Sequence, residues 1–193
     1  KEDEANKGQW GQLVERFYFF IPTNSSPYPD FPKAGLELKT GYLKILKKDG
    51  SFSNGEGKLN LSMINASIID EHFENSSFMK KNKSLLLIFH YKKGIKEPLD
   101  YKVKLVGHYQ FPDDDLVVIK ADWNMIRTKL KNNQELHQGD GNYIDCMSKA
   151  GKHCFGIKGE YLKHILHEIS TGKKEIFGKK LLKKKNKDII SIE

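Results

Sequence analysis

One stretch of this chain is almost continuously apolar, and it constrains the fold more than any other feature. Residues 84–93 read SLLLIFHYKK. A strand in the middle of a covered sheet shows such a run because both of its faces are buried, whereas a strand with one face in water alternates apolar and polar residues. The run therefore predicts a central strand in a sheet with other layers packed on both faces.

The remaining long patterns surround this strand with elements of both kinds. Alternating residues predict strands at 34–47 and 100–111, and periodic apolar residues predict helices at 8–20, 113–133 and 159–170. This order of helix, strands, helix and further strand pieces predicts an α/β fold in which a mixed central sheet is flanked by helices.

Shorter segments complete the predicted topology. A Gly-rich turn is expected to make 57–65 the hairpin partner of the strand at 34–47. Residues 68–82 are expected to form a short helix followed by a basic loop. Short strands at 142–146 and 155–158 are expected to flank a loop that contains SKAGKH.

The first predicted strand carries a charged pair on one face. Side chains at i and i+2 of a strand point to the same side, so Glu37 and Lys39 are expected to face outward together while Leu38 faces the core. Asp30 lies just upstream, and an intervening proline and glycine allow the chain to turn back beside them. Two carboxylates and a lysine at a sheet edge suit Mg²⁺-dependent phosphodiester cleavage. The same pattern alone is also typical of an exposed ion pair on an amphipathic strand.

Charge narrows the class of partner. The 193-residue chain has 33 Lys and Arg against 25 Asp and Glu, which gives a net charge of +8. Arg16 and Arg127 are its only arginines, and lysine suits contacts with phosphate more than bidentate recognition of guanine. The excess of positive charge favours nucleic acid as partner, while a lysine-rich host proteome would give the same balance.

Two other classes of partner are not indicated by the sequence. Cys146 and Cys154 lack the spacing of a metal site. No apolar run reaches the length of a membrane span, so no membrane partner is expected.

Five blocks of sequence carry a resemblance to a known family. They are GQLVE at 11–15, DFPKAGLELKT at 30–40, ENSSFMKKNK at 74–83, ADWNMI at 121–126 and GIKGEYLKHIL at 156–166. In order and spacing the blocks resemble the MutH/Sau-three-A family of GATC-cutting endonucleases, which belongs to the PD-(D/E)xK superfamily. The similarity is greatest to the catalytic domain of the family's restriction enzymes. It implies a restriction-endonuclease-like core in which an early helix supplies a carboxylate and a hairpin carries the E-x-K.

The resemblance gives the acidic residues and the first lysine expected roles. Asp30, Glu37 and Lys39 match the catalytic residues of the family, in which two carboxylates bind Mg²⁺ and a lysine orients or activates the attacking water. Glu15 matches a helical carboxylate that joins the metal site directly or through water. The expected products carry a 5′-phosphate, as in the family.

Further basic residues match positions that approach the active site or the DNA. Lys81 and Lys83 both fall on a stretch from which one lysine of the family reaches the active site, and the sequence leaves the choice between them open. Ser148, Lys149 and Lys152 fall in or beside the loop that enters the major groove in this family.

Two positions depart from the mismatch-repair member of the family. That member has an arginine where Met147 stands and a tyrosine, linked to sensing of methylated adenine, where Gly156 stands. A methionine donates no hydrogen bond to a base edge, so Ser148, Lys149 or backbone groups would have to read the bases. The missing tyrosine favours a restriction enzyme over a strand-discriminating nickase.

The matches predict a type II restriction endonuclease, or its catalytic domain, that cleaves double-stranded DNA at GATC with Mg²⁺ in the bacterial cytoplasm. A repair nickase for hemimethylated GATC and a catalytically silent DNA-binding module are the alternatives. Residues 1–171 are expected to form the endonuclease domain, and 172–193 form a basic segment that grips the DNA backbone or leads to a second domain. The partner in double-strand cutting is expected to be a second copy on DNA or a second MutH-like domain.

Overall fold

The structure is a computed structural model, and the residues it describes are 8–22, 26–45, 52–55, 57–91, 95, 97–149, 151–174 and 177–178. Most of the predicted basic segment, from 179 to 193, lies outside the described residues. In the part of the chain that is described, no helix has both the length and the apolar character needed to cross a membrane.

The described residues form seven strands and four α-helices. The strands are β1 (Glu37–Ile45), β2 (Phe52–Asn54), β3 (Leu59–Met63), β4 (Ser84–Tyr91), β5 (Lys102–Gln110), β6 (Ile144–Lys149) and β7 (Lys152–Ile157). The helices are α1 (Gln9–Leu13), α2 (Ser77–Asn82), α3 (Asp113–Lys131) and α4 (Gly159–Thr171), and a π-helical segment, Val14–Tyr18, continues α1. This content confirms the predicted α/β class.

The larger sheet is mixed and has the order β2-β1-β4-β5. Strand β4 runs parallel to β1 and antiparallel to β5, so it occupies the interior of the sheet. Its residues Leu85, Leu87 and Phe89 are completely buried. The prediction of a central strand from the apolar run is therefore confirmed, and the strand beside it carries the candidate catalytic residues.

The partner predicted for residues 57–65 is wrong. Strand β3 pairs with β7 in a separate antiparallel sheet of order β3-β7-β6, with Leu59 opposite Ile157. The antiparallel partner of β1 is instead the short strand β2, which lies in the stretch predicted as a turn. Alternation shows which face of a strand is buried, but it does not identify the partner strand, and here that partner is distant in sequence.

Two helices, α3 and α4, bury the apolar faces that their patterns predict. The helix predicted at 8–20 does not, because α1 and its π-helical continuation contain no buried residue and Phe17 is exposed. Ile119, Trp123 and Ile126 of α3 are buried in the core, as are several residues of α4. The stretch predicted as a basic loop is helix α2, which is preceded by two 3₁₀ turns. Ser76 caps this helix, because its hydroxyl oxygen accepts the Met79 N–H at 3.1 Å.

Candidate active site

Strand β1 brings Glu37 and Lys39 into direct contact. Their positions two apart place both side chains on one side of the strand, and Lys39 Nζ lies 2.7 Å from Glu37 Oε1. The expectation that Glu37 faces solvent is wrong, because the residue is only 2% exposed. Lys39 retains 15% exposure of its side chain, so solvent reaches the lysine more readily than it reaches Glu37.

The turn before β1 places Asp30 next to Glu37, as the sequence predicts. Phe31 and Leu36 form an isolated bridge, and Gly35 adopts φ +61, a conformation that favours glycine. The Asp30 N–H donates to Glu37 Oε2 at 3.2 Å, and Asp30 Oδ2 accepts the Leu38 N–H at 3.0 Å. The two carboxylates are therefore held side by side by backbone hydrogen bonds.

Glu15 reaches the same site from the π-helical segment that follows α1. Gly11 permits close packing of α1 on β1, because a Cβ there would lie 2.7 Å from Thr40 Oγ1. The Phe19 N–H donates to Val14 O at 3.1 Å, five residues back, which is the hydrogen bond of a π-helix. Burial raises the pKa of Glu15 above its ordinary range, and the negative charge of Asp30 adds to this effect, so the two carboxylates are close enough to repel each other.

Lys81, rather than Lys83, faces the acidic cluster. Lys81 Nζ lies 3.6 Å from Glu37 Oε1 and donates to Ser26 O at 2.8 Å. Lys83 follows the end of α2 and is exposed. The ammonium groups of Lys39 and Lys81 therefore both balance the negative charge of the Glu37 carboxylate. The structure places Lys81 at the site and Lys83 outside it.

The donor chemistry of this cluster fits a hard divalent cation. Asp30, Glu37 and Glu15 supply carboxylate oxygens, the donor type that Mg²⁺ prefers. In the described part of the chain, no three His, Cys, Asp or Glu side chains are spaced as a complete set of metal ligands. Mg²⁺ is commonly held by one or two carboxylates together with substrate phosphate and water, a requirement that the adjacent carboxylates of Asp30 and Glu37 could meet.

Glu37 should make the stability of the protein depend on pH. Burial raises the pKa of Glu37 above its ordinary value of 4.5; the positive charge of Lys39 opposes this increase, and the negative charge of Asp30 adds to it. Between the pKa of Glu37 in the unfolded state and its higher pKa in the folded state, the folded protein binds more protons than the unfolded protein. The contribution of Glu37 to the free energy of unfolding therefore falls as the pH rises through this interval. We expect Glu37→Gln to become increasingly stable relative to wild type as pH rises above 4.5 in metal-free buffer.

Thermal unfolding across a pH series with a chelator measures this difference directly. Glu74→Gln is a control of opposite sign, because the hydrogen bond from Lys120 lowers the pKa of the Glu74 carboxyl. The account of Glu37 is wrong if wild type gains stability over Glu37→Gln as the pH rises.

The predicted DNA-reading loop is the end of a β-hairpin. Strands β6 and β7 pair up to Lys149 opposite Lys152, so residues 148, 149, 152 and 153 belong to strands and not to a loop. Gly151 in the turn adopts φ +74. Ser148 and Lys152 are exposed, and the side chain of Lys149 is not among the described parts. The hairpin end thus presents an exposed hydroxyl and an exposed ammonium group.

The side chain of Met147 packs directly against Gly156, the second position that departs from the mismatch-repair member. Met147 is 6% exposed, so it does not point toward a ligand outside the protein. A Cβ at Gly156 would lie 1.9 Å from Met147 Cε. The methionine side chain therefore fills the space above Gly156, and a larger residue at 156 would displace it.

Fold and site together define a class of protein. One strand of a mixed sheet carries a carboxylate and a lysine, the turn before that strand adds a second carboxylate, and a third approaches from the preceding helical segment. This is the arrangement implied by the PD-(D/E)xK resemblance.

Comparison with known proteins identifies the family within that class. The family model described as DNA mismatch repair enzyme MutH matches residues 19–122, more than half of the chain, and the chain belongs to this family. The Type II restriction enzyme Sau3AI of Staphylococcus aureus is 30% identical over 195 residues, which cover 90% of this chain. The chain spans 39% of the length of that relative. Family and relative together indicate a nuclease.

Proposed function

We propose that this chain is the catalytic part of a type II restriction endonuclease that hydrolyses double-stranded DNA at GATC with Mg²⁺ in the bacterial cytoplasm. The observation that carries the proposal is the contact that Asp30 and Lys39 make with the buried carboxylate of Glu37. The Asp30 N–H and Lys39 Nζ meet the two oxygens of Glu37 at 3.2 and 2.7 Å. The family match, which includes all three residues, supports the same reading.

The residues of the site have separate roles in this proposal. Asp30 and Glu37 would hold Mg²⁺, with Glu15 completing its surroundings directly or through water. When bound, the cation lowers the pKa of water and neutralises negative charge on the phosphate. Lys39 positions the attacking water and stabilises the charge that develops on the phosphate oxygens. Water attacks phosphorus, the bond to the 3′ oxygen breaks, and a 5′-phosphate and a 3′-hydroxyl result.

The β6–β7 hairpin is the proposed DNA-reading element. Its exposed end carries Ser148 and Lys152, and Lys149 lies between them. A hydroxyl can donate to or accept from a base edge, and lysines can contact guanine or phosphate. The buried position of Met147 leaves these residues and the turn backbone as the candidates for recognition.

Lys81→Met should slow DNA cleavage, whereas Lys83→Met should not. Lys81 supports Glu37 from 3.6 Å, and losing such a supporting group commonly costs roughly 10–100-fold in metal affinity or activity. Each variant removes one positive charge, so the general loss of phosphate attraction is matched between them. Single-turnover cleavage of a GATC duplex measures both rates. Equal rates for the two variants would contradict the assignment of Lys81 to the site.

Mapping of cleavage products tests the proposed specificity. A sequenced plasmid, prepared with and without adenine methylation, is digested with Mg²⁺, and the ends are sequenced. The proposal predicts double-strand breaks at GATC that carry 5′-phosphates. Preferential nicking of one strand at hemimethylated sites would instead identify a repair nickase, and binding without cleavage would identify a silent DNA-binding module.

The wider organisation is also part of the proposal. Residues 1–171 form the endonuclease domain, and the basic segment at 172–193 leads to a second domain or grips the DNA backbone. Cutting of both strands then requires a homodimer on DNA or pairing with a second MutH-like domain. Cleavage rate measured against protein concentration distinguishes these arrangements, because only assembly of separate copies makes the rate per molecule concentration-dependent.

A further inference from the structure

Two buried aspartates hold the segment that leads into β6. Asp122 of α3 is 2% exposed. Its Oδ1 accepts the Asn142 backbone N–H at 2.9 Å and the Asn142 side-chain amide at 3.1 Å. Its Oδ2 accepts the N–H groups of Tyr143 at 2.7 Å and Ile144 at 3.1 Å. Both oxygens are thus used to fix the backbone at the start of β6.

Asp145 accepts further backbone hydrogen bonds from the same segment. It is completely buried, and its Oδ2 accepts the Gly139 N–H at 2.7 Å. Its Oδ1 accepts the N–H groups of Gly141 at 3.4 Å and Cys146 at 2.9 Å. Lys58 Nζ lies 3.5 Å from Oδ2 and supplies the opposite charge. The segment between α3 and β6 is therefore wrapped around two carboxylates.

The backbone of this segment is fitted closely to its anchors. A Cβ on Gly141 would lie 1.8 Å from Ile144 O and 3.3 Å from the Asp122 carboxyl carbon. Gly139 adopts φ +111, which favours glycine. Both features show that the chain has one tightly specified path here. The path sets where β6 begins and in which direction it leaves the core.

The anchored segment sits at the base of the hairpin that carries the proposed DNA contacts. Ser148 is three residues beyond Asp145, a span of about 10 Å along a strand. A small shift or rotation at the base of the hairpin therefore moves its exposed end relative to the candidate active site on β1. β6 and β1 belong to different sheets, so the position of one relative to the other depends on such anchors.

We propose that Asp122 and Asp145 are positioning residues for sequence recognition, which rests on the proposed function of the chain as a GATC endonuclease. They fix the β6–β7 hairpin so that Ser148, Lys149 and Lys152 meet the correct bases while the scissile phosphate lies at Glu37. Neither aspartate contacts DNA. Their effect falls on discrimination between DNA sequences, and the chemical step at Asp30, Glu37 and Lys39 does not depend on them.

Asp122→Asn tests this inference with almost no change in shape. An amide NH₂ then replaces one oxygen and faces N–H donors, whichever way the side chain is oriented. We expect the ratio of kcat/KM for a GATC duplex to that for a duplex with one altered base pair to fall about 10-fold. The single-turnover rate at saturating protein should stay within about 3-fold of wild type. Asp114→Asn, an exposed change on the same helix, should leave both quantities unaltered.

Several outcomes would overturn the inference. One is a folded Asp122→Asn variant that discriminates as wild type does, and another is a variant in which the saturated rate falls while discrimination is unchanged. If Asp122→Asn is unfolded at the assay temperature, Lys58→Met serves instead, because it weakens the surroundings of Asp145 and leaves every backbone hydrogen bond to the two carboxylates in place. Its discrimination should fall in the same direction, and wild-type discrimination would count against the proposal.

Equilibrium binding separates this inference from the proposed function. If wild type binds GATC duplexes but does not cut them, the assignment as an endonuclease fails. The positioning role is then still measured by the ratio of Kd values for the two duplexes in wild type and in Asp122→Asn. A ratio unchanged by the substitution rejects the positioning role, and a reduced ratio supports it.

Discussion

If the chain is a GATC endonuclease, we expect its cleavage of GATC DNA to fall by roughly 10³-fold when Glu37 is replaced by glutamine. The backbone N–H of Asp30 and the ammonium groups of Lys39 and Lys81 converge on this one carboxylate, at 3.2, 2.7 and 3.6 Å. The amide has nearly the same shape but no charge, so it is a poor ligand for Mg²⁺ and no longer balances two lysines. Affinity for DNA should persist, because the substitution removes a negative charge from the site at which we propose that the scissile phosphate binds.

Single-turnover cleavage and equilibrium binding of the same duplex separate these two effects. Glu74→Gln is the matched control, since Glu74 is an exposed carboxylate paired with Lys120, on a 3₁₀ turn and outside the cluster. It should cut at the wild-type rate. A Glu37→Gln variant that binds and cuts as wild type does would remove Glu37 from the mechanism.

Lys39→Met should reduce cleavage by roughly 10²–10³-fold, the usual loss when one group that stabilises transition-state charge is removed. Lys39 Nζ is the nearest cation to Glu37, and the methionine keeps the length of the side chain without the charge. The loss should appear in kcat more than in KM, because the ammonium acts on charge that develops during the reaction. Its removal also takes away an influence that lowers the pKa of Glu37. The pH at which activity rises should therefore move upward.

The control for this change lies on the same strand. Lys44 of β1 is exposed and packs over the ring of Tyr42. Lys44→Met removes an equal charge at a distance from the acidic cluster and should leave the rate near that of wild type. If both variants lose activity equally, the effect belongs to general attraction of DNA and not to the reaction site.

The sequence predicts those features that depend on local patterns. The apolar run at 84–93 places β4 correctly, because a strand buried on both faces requires such a run. The spacing of Asp30, Glu37 and Lys39, with a turn between the first two, predicts that the three residues lie together, and they do. The side-chain period of a strand guarantees that Glu37 and Lys39 share a side.

Features that depend on distant parts of the chain were not predictable in this way. The pairing of β3 with β7 joins segments that are far apart in sequence, and alternation alone gave no partner. The burial of Glu37 results from the turn and helix that cover β1, which no single-strand pattern contains. The choice between Lys81 and Lys83 required α2, because two helical residues that are two apart point about 200° apart around the axis.

Asp122 illustrates a signal that was present but not interpreted. It lies in the block ADWNMI, beside the buried Trp123, on the inner face of α3. An aspartate on an apolar helical face is costly unless its oxygens are hydrogen-bonded, so its position indicates a group of donors nearby. The structure shows that those donors are the backbone N–H groups that open β6.

The proposed function requires that the acidic cluster of Asp30, Glu37 and Glu15 cut DNA with the help of a divalent cation. An end-labelled GATC duplex, incubated with saturating wild-type protein in Mg²⁺ and in parallel with excess EDTA, tests it most directly. We expect a single labelled cleavage product with a 5′-phosphate in Mg²⁺ and an intact duplex in EDTA. Equal cleavage in both reactions, or an intact duplex in Mg²⁺ despite full binding, would contradict it.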